Sequence, residues 1–95
     1  MPTYVMLTHL NSEGIATLKD RPERVKEVNG EVEGLGATIV AQYATLGQYD
    51  FVTVLEAPDA ATMTRISVRL GGRRTASYET LAAMSVDDFI SSVKG

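Results

Sequence analysis

The chain has no cysteine, no tryptophan, a single histidine and three prolines. Without cysteine there is neither a disulfide framework nor thiolate chemistry, which fits a reducing compartment, and the cytoplasm is the expected location. A lone histidine without cysteine also lacks the company that a transition-metal site needs, so no metal is expected. Long apolar runs are missing as well. No stretch approaches the roughly 20 residues of a spanning helix, and no basic segment followed by an apolar one stands at the N-terminus. Positive charge is not in excess, with 9 Lys and Arg against 12 Asp and Glu and a net charge of −3. Phosphate binding needs a concentrated positive face. The expectation is therefore a soluble, untargeted protein that engages neither membrane nor nucleic acid.

What is present is ordinary for a globular chain: 95 residues, 44% hydrophobic and 22% charged. That length makes one domain, residues 1–95, which buries roughly 60 to 70% of the surface its unfolded chain exposes. A core of that size gains from a partner subunit.

The most distinctive stretch runs from Tyr43 to Phe51, where Gly47-Gln48-Tyr49-Asp50 separates two segments rich in β-branched and aromatic residues. A two-residue loop with glycine first matches a type II′ hairpin, which needs positive φ at its first central position. The turn would set a register in which Tyr49, Phe51, Thr53 and Leu55 share one face and Asp50, Val52, Val54 and Glu56 the other. Asp50 then heads an apolar face, where an unpaired carboxylate would cost several kcal/mol. It either accepts hydrogen bonds that fasten the hairpin or serves a ligand or an interface.

Around this hairpin the other elements fall in order. Thr3–Leu10 reads as a strand that is apolar on both faces. Asn11 to Gly14 caps a helix from about Gly14, with Ile15 and Leu18 inward. Asp20, as N-cap with Pro22 in the first turn and Glu23 at the capping-box position, begins a second helix. Val25, Val28, Val32 and Leu35 form its apolar stripe, and Gly34 or Gly36 ends it. After the hairpin strands, 37–46 and 49–57, Asp59 caps a helix to about Leu70 with Met63, Ile66 and Leu70 inward. Residues 74–84 alternate as a last strand, and Ser85 starts a C-terminal helix with Val86, Phe89, Ile90 and Val93 apolar.

The order β-α-β-β-α-β plus a tail helix is the ferredoxin-like α+β arrangement, with two helices on one face of a four-stranded antiparallel sheet. Right-handed crossovers place the first and third strands centrally. Both are apolar on both faces, so the face without helices calls for cover, and a sheet-to-sheet homodimer or higher homo-oligomer is expected.

Catalytic signatures are sparse. His9 ends the first strand, where a single histidine is more often a hydrogen-bonded structural group than a base. Tyr4, Tyr43, Tyr49 and Tyr78 lie on strands, where packing explains them. If Tyr4, Tyr43 and Tyr78 face a cavity, they line an apolar pocket with a few polar points, the usual character of a small-molecule site. Arg65, Arg69, Arg73 and Arg74 make a basic stripe for which the acidic first helical region offers ion-pair partners. The Gly34–Gly36 and Gly71-Gly72 segments follow helices, so they are not phosphate or dinucleotide loops, and no nucleophile elbow is present. No cofactor is expected.

Gly47-Gln48-Tyr49-Asp50-Phe51-Val52, Thr80-Leu81-Ala82-Ala83-Met84-Ser85 and the opening Tyr4-Val5 with Leu7-Thr8 resemble the GYD domain family of small bacterial proteins. The resemblance implies membership of the dimeric α+β barrel superfamily, in agreement with the sheet-to-sheet dimer. A similar turn in the effector-binding domains of leucine-responsive regulators lies at a subunit interface beside a bound amino acid. By that likeness Gly47, Gln48, Tyr49 and Asp50 become a ligand or interface loop. The helix-turn-helix of those regulators is absent, so DNA binding does not carry over.

Three functions follow as expectations. The first is a small-molecule-binding oligomeric module without catalysis. The second is a cofactor-independent enzyme of monooxygenase or isomerase type, with His9 and a tyrosine or Asp50 as acid and base. The third is a purely structural assembly role.

Overall fold

A computed structural model describes all residues 1–95. The elements are β1 (Thr3–Leu10), α1 (Ser12–Asp20), α2 (Arg24–Gly34), β2 (Thr38–Ala44), β3 (Phe51–Glu56), α3 (Ala60–Gly71), β4 (Ala76–Ala83) and α4 (Val86–Lys94). The strands form one antiparallel sheet in the order β2-β3-β1-β4, so β1 and β3 are central. This is the expected ferredoxin-like α+β fold with the first crossover split into two helices.

The split has a local cause. Residues before proline avoid the helical region, and Arg21, preceding Pro22, takes φ −137° and ψ 76° and ends α1. Asp20 therefore closes α1 instead of capping α2, contrary to the sequence reading. The N-cap of α2 is Glu23, with no side-chain cap bond. The helix starts through short-range backbone bonds, Arg24 N to Arg21 O and Val25 N to Pro22 O. At α1 the cap is Asn11, which accepts from Gly14 N at 2.9 Å, so the helix begins two residues before the expected start. Ile15, expected inward, is 54% exposed because Gly14 occupies the buried position.

Alternation along the strands sorts the two sheet faces. Tyr4, Met6 and Thr8 of β1 and Thr53 and Leu55 of β3 are buried beneath the helices. Leu55, Ile66 and Leu70 are the largest fully buried side chains, joined by Tyr4, Met6, Val32 and Met63. Val5, Leu7, Val52 and Val54 point the other way, flanked by Leu81 on β4 and by Ala41 and Tyr43 on β2. No helix covers this second face.

The hairpin loop is longer than the expected two-residue turn. β2 stops at Ala44, and the chain closes through Thr45 N to Asp50 O at 2.8 Å, leaving Leu46 to Tyr49 as the loop. Gly47 has φ 107°, the positive value for which glycine was expected. A bulge at Val40 shifts the register of β2 on β3 between Ile39 and Ala41. Such a bulge on an edge strand also discourages edge-to-edge pairing.

α4 is capped by Ser85, which accepts from Asp88 N at 3.0 Å, yet none of its residues is buried. Its apolar Val86, Phe89, Ile90 and Val93 are 72%, 56%, 43% and 70% exposed. The radius of gyration, 14.3 Å, exceeds the about 12 Å of a compact chain of this length. α4 is an arm, with an apolar side that nothing in the protomer covers.

At α3, Asp59 accepts from Thr62 N and from the Thr62 hydroxyl, both at 2.8 Å. These bonds, the backbone one first, hold its carboxyl below the ordinary range. A carboxyl whose pKa is lowered by folding contributes stability above its unfolded value, and that contribution disappears as pH falls through the folded value. The cap should therefore be at full strength above about pH 4 and fade below it. Melting curves of wild type and Asp59→Ala across acidic pH check this. The gap between them should be widest near neutrality and should narrow below about pH 4.

Candidate functional site

Two hollows flank the sheet, one on each face, and the Gly47–Asp50 loop belongs to the uncovered side. Asp50 is the hinge of that loop. Its backbone N donates to Thr8 O at 2.7 Å, and its carboxylate accepts the N–H of Leu10 at 2.7 Å. β3 stops pairing with β1 at Phe51 opposite Thr8, so the side chain supplies the acceptor that the backbone no longer offers. The carbonyl of Tyr49 is engaged instead by the Thr45 hydroxyl at 2.6 Å.

Because Tyr49 lies in the loop, its ring does not share the face of Phe51, Thr53 and Leu55 as the sequence reading expects. Its hydroxyl donates to Glu79 on β4 at 2.7 Å. That bond, ahead of burial, pushes the phenol above its ordinary value. His9 Nδ1 donates to Gln48 O at 2.6 Å, so Nε2 is the acceptor of the neutral ring. Leu7, His9, Gln48, Tyr49, Ser77, Tyr78 and Glu79 line a hollow of about 270 Å³ here. His9 is exposed. The structure thus gathers His9, Gln48, Tyr49 and Asp50 at one end of the open face, with the Asp50 carboxylate turned to the β1 backbone.

The expected pocket tyrosines separate. Tyr4 is in the core at 9% exposure, Tyr43 is 63% exposed on the open face, and Tyr78 alone reaches the cavity under the helices. Burial pushes the Tyr78 phenol up, with Arg73 pulling the other way.

That second cavity, about 150 Å³, lies between α1, α2 and the covered sheet face. Its apolar wall includes Met6, Leu18, Val25, Val28, Phe51 and Leu55, and its polar points include Thr8, Asn29, Gln42, Thr53, Tyr78, Arg24 and Arg73. Asn29 and Gln42 exchange amide hydrogen bonds at 2.7 and 3.1 Å, and Gln42 also donates to the buried Thr53 hydroxyl at 3.0 Å. At the rim Glu31 accepts from Arg24 at 3.5 Å and from Arg73. The Arg73 hydrogen bond leads in holding the Glu31 carboxyl below the ordinary range, against partial burial. Arg21 and Arg24 in turn hold Glu27, at 2.6 and 3.0 Å.

Sequence reasoning did not single out Arg24, Asn29 or Gln42. Strict alternation hides Gln42, because the bulge at Val40 puts Ile39 and Gln42, three apart, on the same covered face. Of the arginine stripe, Arg73 finds the acidic partner expected of it, whereas the Arg74 carbonyl accepts from the Asn11 side chain at 2.6 Å. No group of three His, Cys, Asp or Glu side chains gathers to hold a metal ion, and no helix is long and apolar enough to cross a membrane.

The sequence profile described as the GYD domain matches residues 4–93. A curated protein of Thermus thermophilus is 48% identical over 95 residues, which cover 99% of this chain and 100% of that protein. It carries the name glutamine synthetase and cystathionine beta-lyase binding protein. The crystal structure of TTHA0845, also from Thermus thermophilus, superposes with a TM-score of 0.57 over 90% of this chain and 95% of that one. At 20% identity that likeness speaks for the fold alone.

Proposed function

The chain belongs to the GYD domain family, and on that premise we propose that it is a non-catalytic binding module that pairs with itself and docks on other proteins. The observation that carries this reading is the apolar surface left uncovered in the protomer. Val5, Leu7, Val52, Val54 and Leu81 on the open sheet face, and Val86, Phe89, Ile90 and Val93 on α4, have no partner within the chain. Contiguous apolar surface of this kind marks interaction sites. A second copy is the occupant of the open face, which closes the two sheets into a dimeric α+β barrel, and α4 extends the surface available to a partner. The similar Thermus protein, named for binding glutamine synthetase and cystathionine beta-lyase, suggests metabolic enzymes as the partner class and the cytoplasm as the compartment.

Light scattering should give a dimer mass at micromolar concentration. Val54→Asp, which places a charge in the middle of the open face without touching the core, should give a folded monomer. A monomeric wild type would overturn the self-pairing. Surface plasmon resonance against glutamine synthetase and cystathionine beta-lyase of the same organism tests the partner class, and silence from both enzymes removes it.

A second reading, a small-molecule ligand, is favoured by the cavity under α1 and α2. A 150 Å³ apolar cavity is of the size that admits a benzene-like ring. The alternative of a cofactor-independent enzyme fits less well. It needs His9 or Asp50 as acid and base beside a substrate, whereas His9 is exposed and the Asp50 carboxylate already accepts the Leu10 N–H.

A further inference from the structure

We infer that the cavity between α1, α2 and the covered sheet face is a site for a small apolar carboxylic acid, a single ring or short branched chain whose carboxylate is held by Arg24 and Arg73. The inference rests on the second reading above and adds to it the charge and the chemical class of the ligand.

Charge comes first. Arg21, Glu27, Arg24, Glu31 and Arg73 form one chain of ion pairs. Three arginines against two glutamates leave one positive charge over, and the two arginines that line the cavity are where a further anion can reach it. Donor capacity agrees. A guanidinium has five N–H donors, yet Arg24 uses only Nη1 and Arg73 only Nη2 towards carboxylates of the chain. Each retains free donors for a bidentate partner, and neither Glu31 nor Glu27 has to leave. Both arginine side chains are about one-third exposed, at 30% and 32%, so part of each is shielded from the water that weakens a surface pair.

The interior agrees as well. Thr8 is 6% exposed and lines the cavity, and its hydroxyl has no hydrogen-bond partner in the chain. Tyr78 also lines it, likewise without a partner for its hydroxyl. Neither oxygen is sealed off from solvent, so an occupant with a polar end can reach both. Asn29, Gln42 and Thr53 are bonded to one another, and most of the remaining wall is aliphatic or aromatic, which suits the apolar body of the acid. An amino-acid zwitterion fits less well, because its ammonium would add to the surplus positive charge.

The test uses the full chain at neutral pH, titrated with benzoate, phenylacetate and isovalerate and, as a neutral match in shape, benzyl alcohol. Binding is read by amide chemical-shift changes and by calorimetry. At least one acid should bind with a Kd of about 1 mM or tighter. Benzyl alcohol should bind about tenfold more weakly, and Arg24→Gln and Arg73→Gln should each lower the acid's affinity about tenfold while leaving the alcohol's unchanged. Both variants replace partly exposed side chains, and an unchanged amide spectrum elsewhere verifies that they fold. Equal binding of acid and alcohol, or an acid affinity indifferent to both arginines, overturns the carboxylate assignment and leaves the cavity as an apolar ligand site. Failure of acids and alcohol alike overturns the ligand reading with it. Neither result bears on dimer mass or enzyme binding, which are measured separately.

Discussion

Gly14→Ala should be among the most damaging single-methyl changes in this protein. A Cβ at Gly14 would stand 2.2 Å from the Thr75 backbone oxygen and 3.2 Å from a Leu10 methyl. The oxygen cannot simply yield, because it accepts the Asn11 N–H at 3.0 Å, while the Asn11 side chain bonds the neighbouring Arg74 carbonyl. Asn11 also caps α1 through Gly14 N. One substitution therefore pushes the start of α1 off the segment leading into β4 and strains the cap that begins the helix. Overpacking against backbone costs about 3 kcal/mol, or about 15 °C in melting temperature for a domain of this size.

Gly30→Ala provides the contrast. Gly30 is exposed within α2 and nothing lies within 4 Å of the added Cβ. Alanine there should raise stability by about 0.5 to 1 kcal/mol, because a helical glycine loses more chain entropy on folding. Thermal melts of the two variants decide the matter. A Gly14→Ala protein as stable as wild type would mean that α1 does not seat against Thr75.

Asp50→Ala should follow in size, with a loss of about 2 kcal/mol, because it removes the acceptor of the partly buried Leu10 N–H. The damage should spread through the loop. With Asp50 gone, the His9 to Gln48 and Tyr49 to Glu79 bonds across the open face lose the anchor that sets their geometry. Hydrogen exchange at the Leu10 amide should accelerate together with the fall in melting temperature. Asp50→Asn retains an oxygen acceptor and should recover most of the stability. That pair also separates fastening from recognition. An Asp50→Asn protein with wild-type stability and lost enzyme binding would assign the charge to an interface, whereas retained binding assigns the carboxylate to the hairpin. Wild-type stability in Asp50→Ala would remove the fastening role.

The resemblance to the GYD family was legible in Gly47 to Val52 because the turn is a local object. Its glycine needs positive φ, and the flanking strands advertise themselves by composition. The length of the loop was not legible. Thr45 pairing with Asp50 depends on where β1 runs out beside β3, and no property of residues 45–50 encodes that. The same limit explains Tyr49. One position in strand or loop decides whether a side chain points under the helices or across to β4. Gln42 was hidden for a related reason, since the Val40 bulge breaks the period of two by which an inward polar residue would be noticed.

By itself the sequence determined the element order, the antiparallel α+β class, the inward residues of α3 and the two-sided apolarity of the central strands. These follow from spacing within about ten residues, where backbone geometry translates pattern directly into a face. The tertiary structure decided what touches what across the sheet: Asp50 on Leu10, Tyr49 on Glu79, Gly14 against Thr75 and Glu31 between Arg24 and Arg73. Most of these partners lie far apart in the chain, as in the 40-residue separation of Asp50 from Leu10. Their meeting depends on strand register and helix seating summed over the whole domain, a balance of packing that no local run of residues contains.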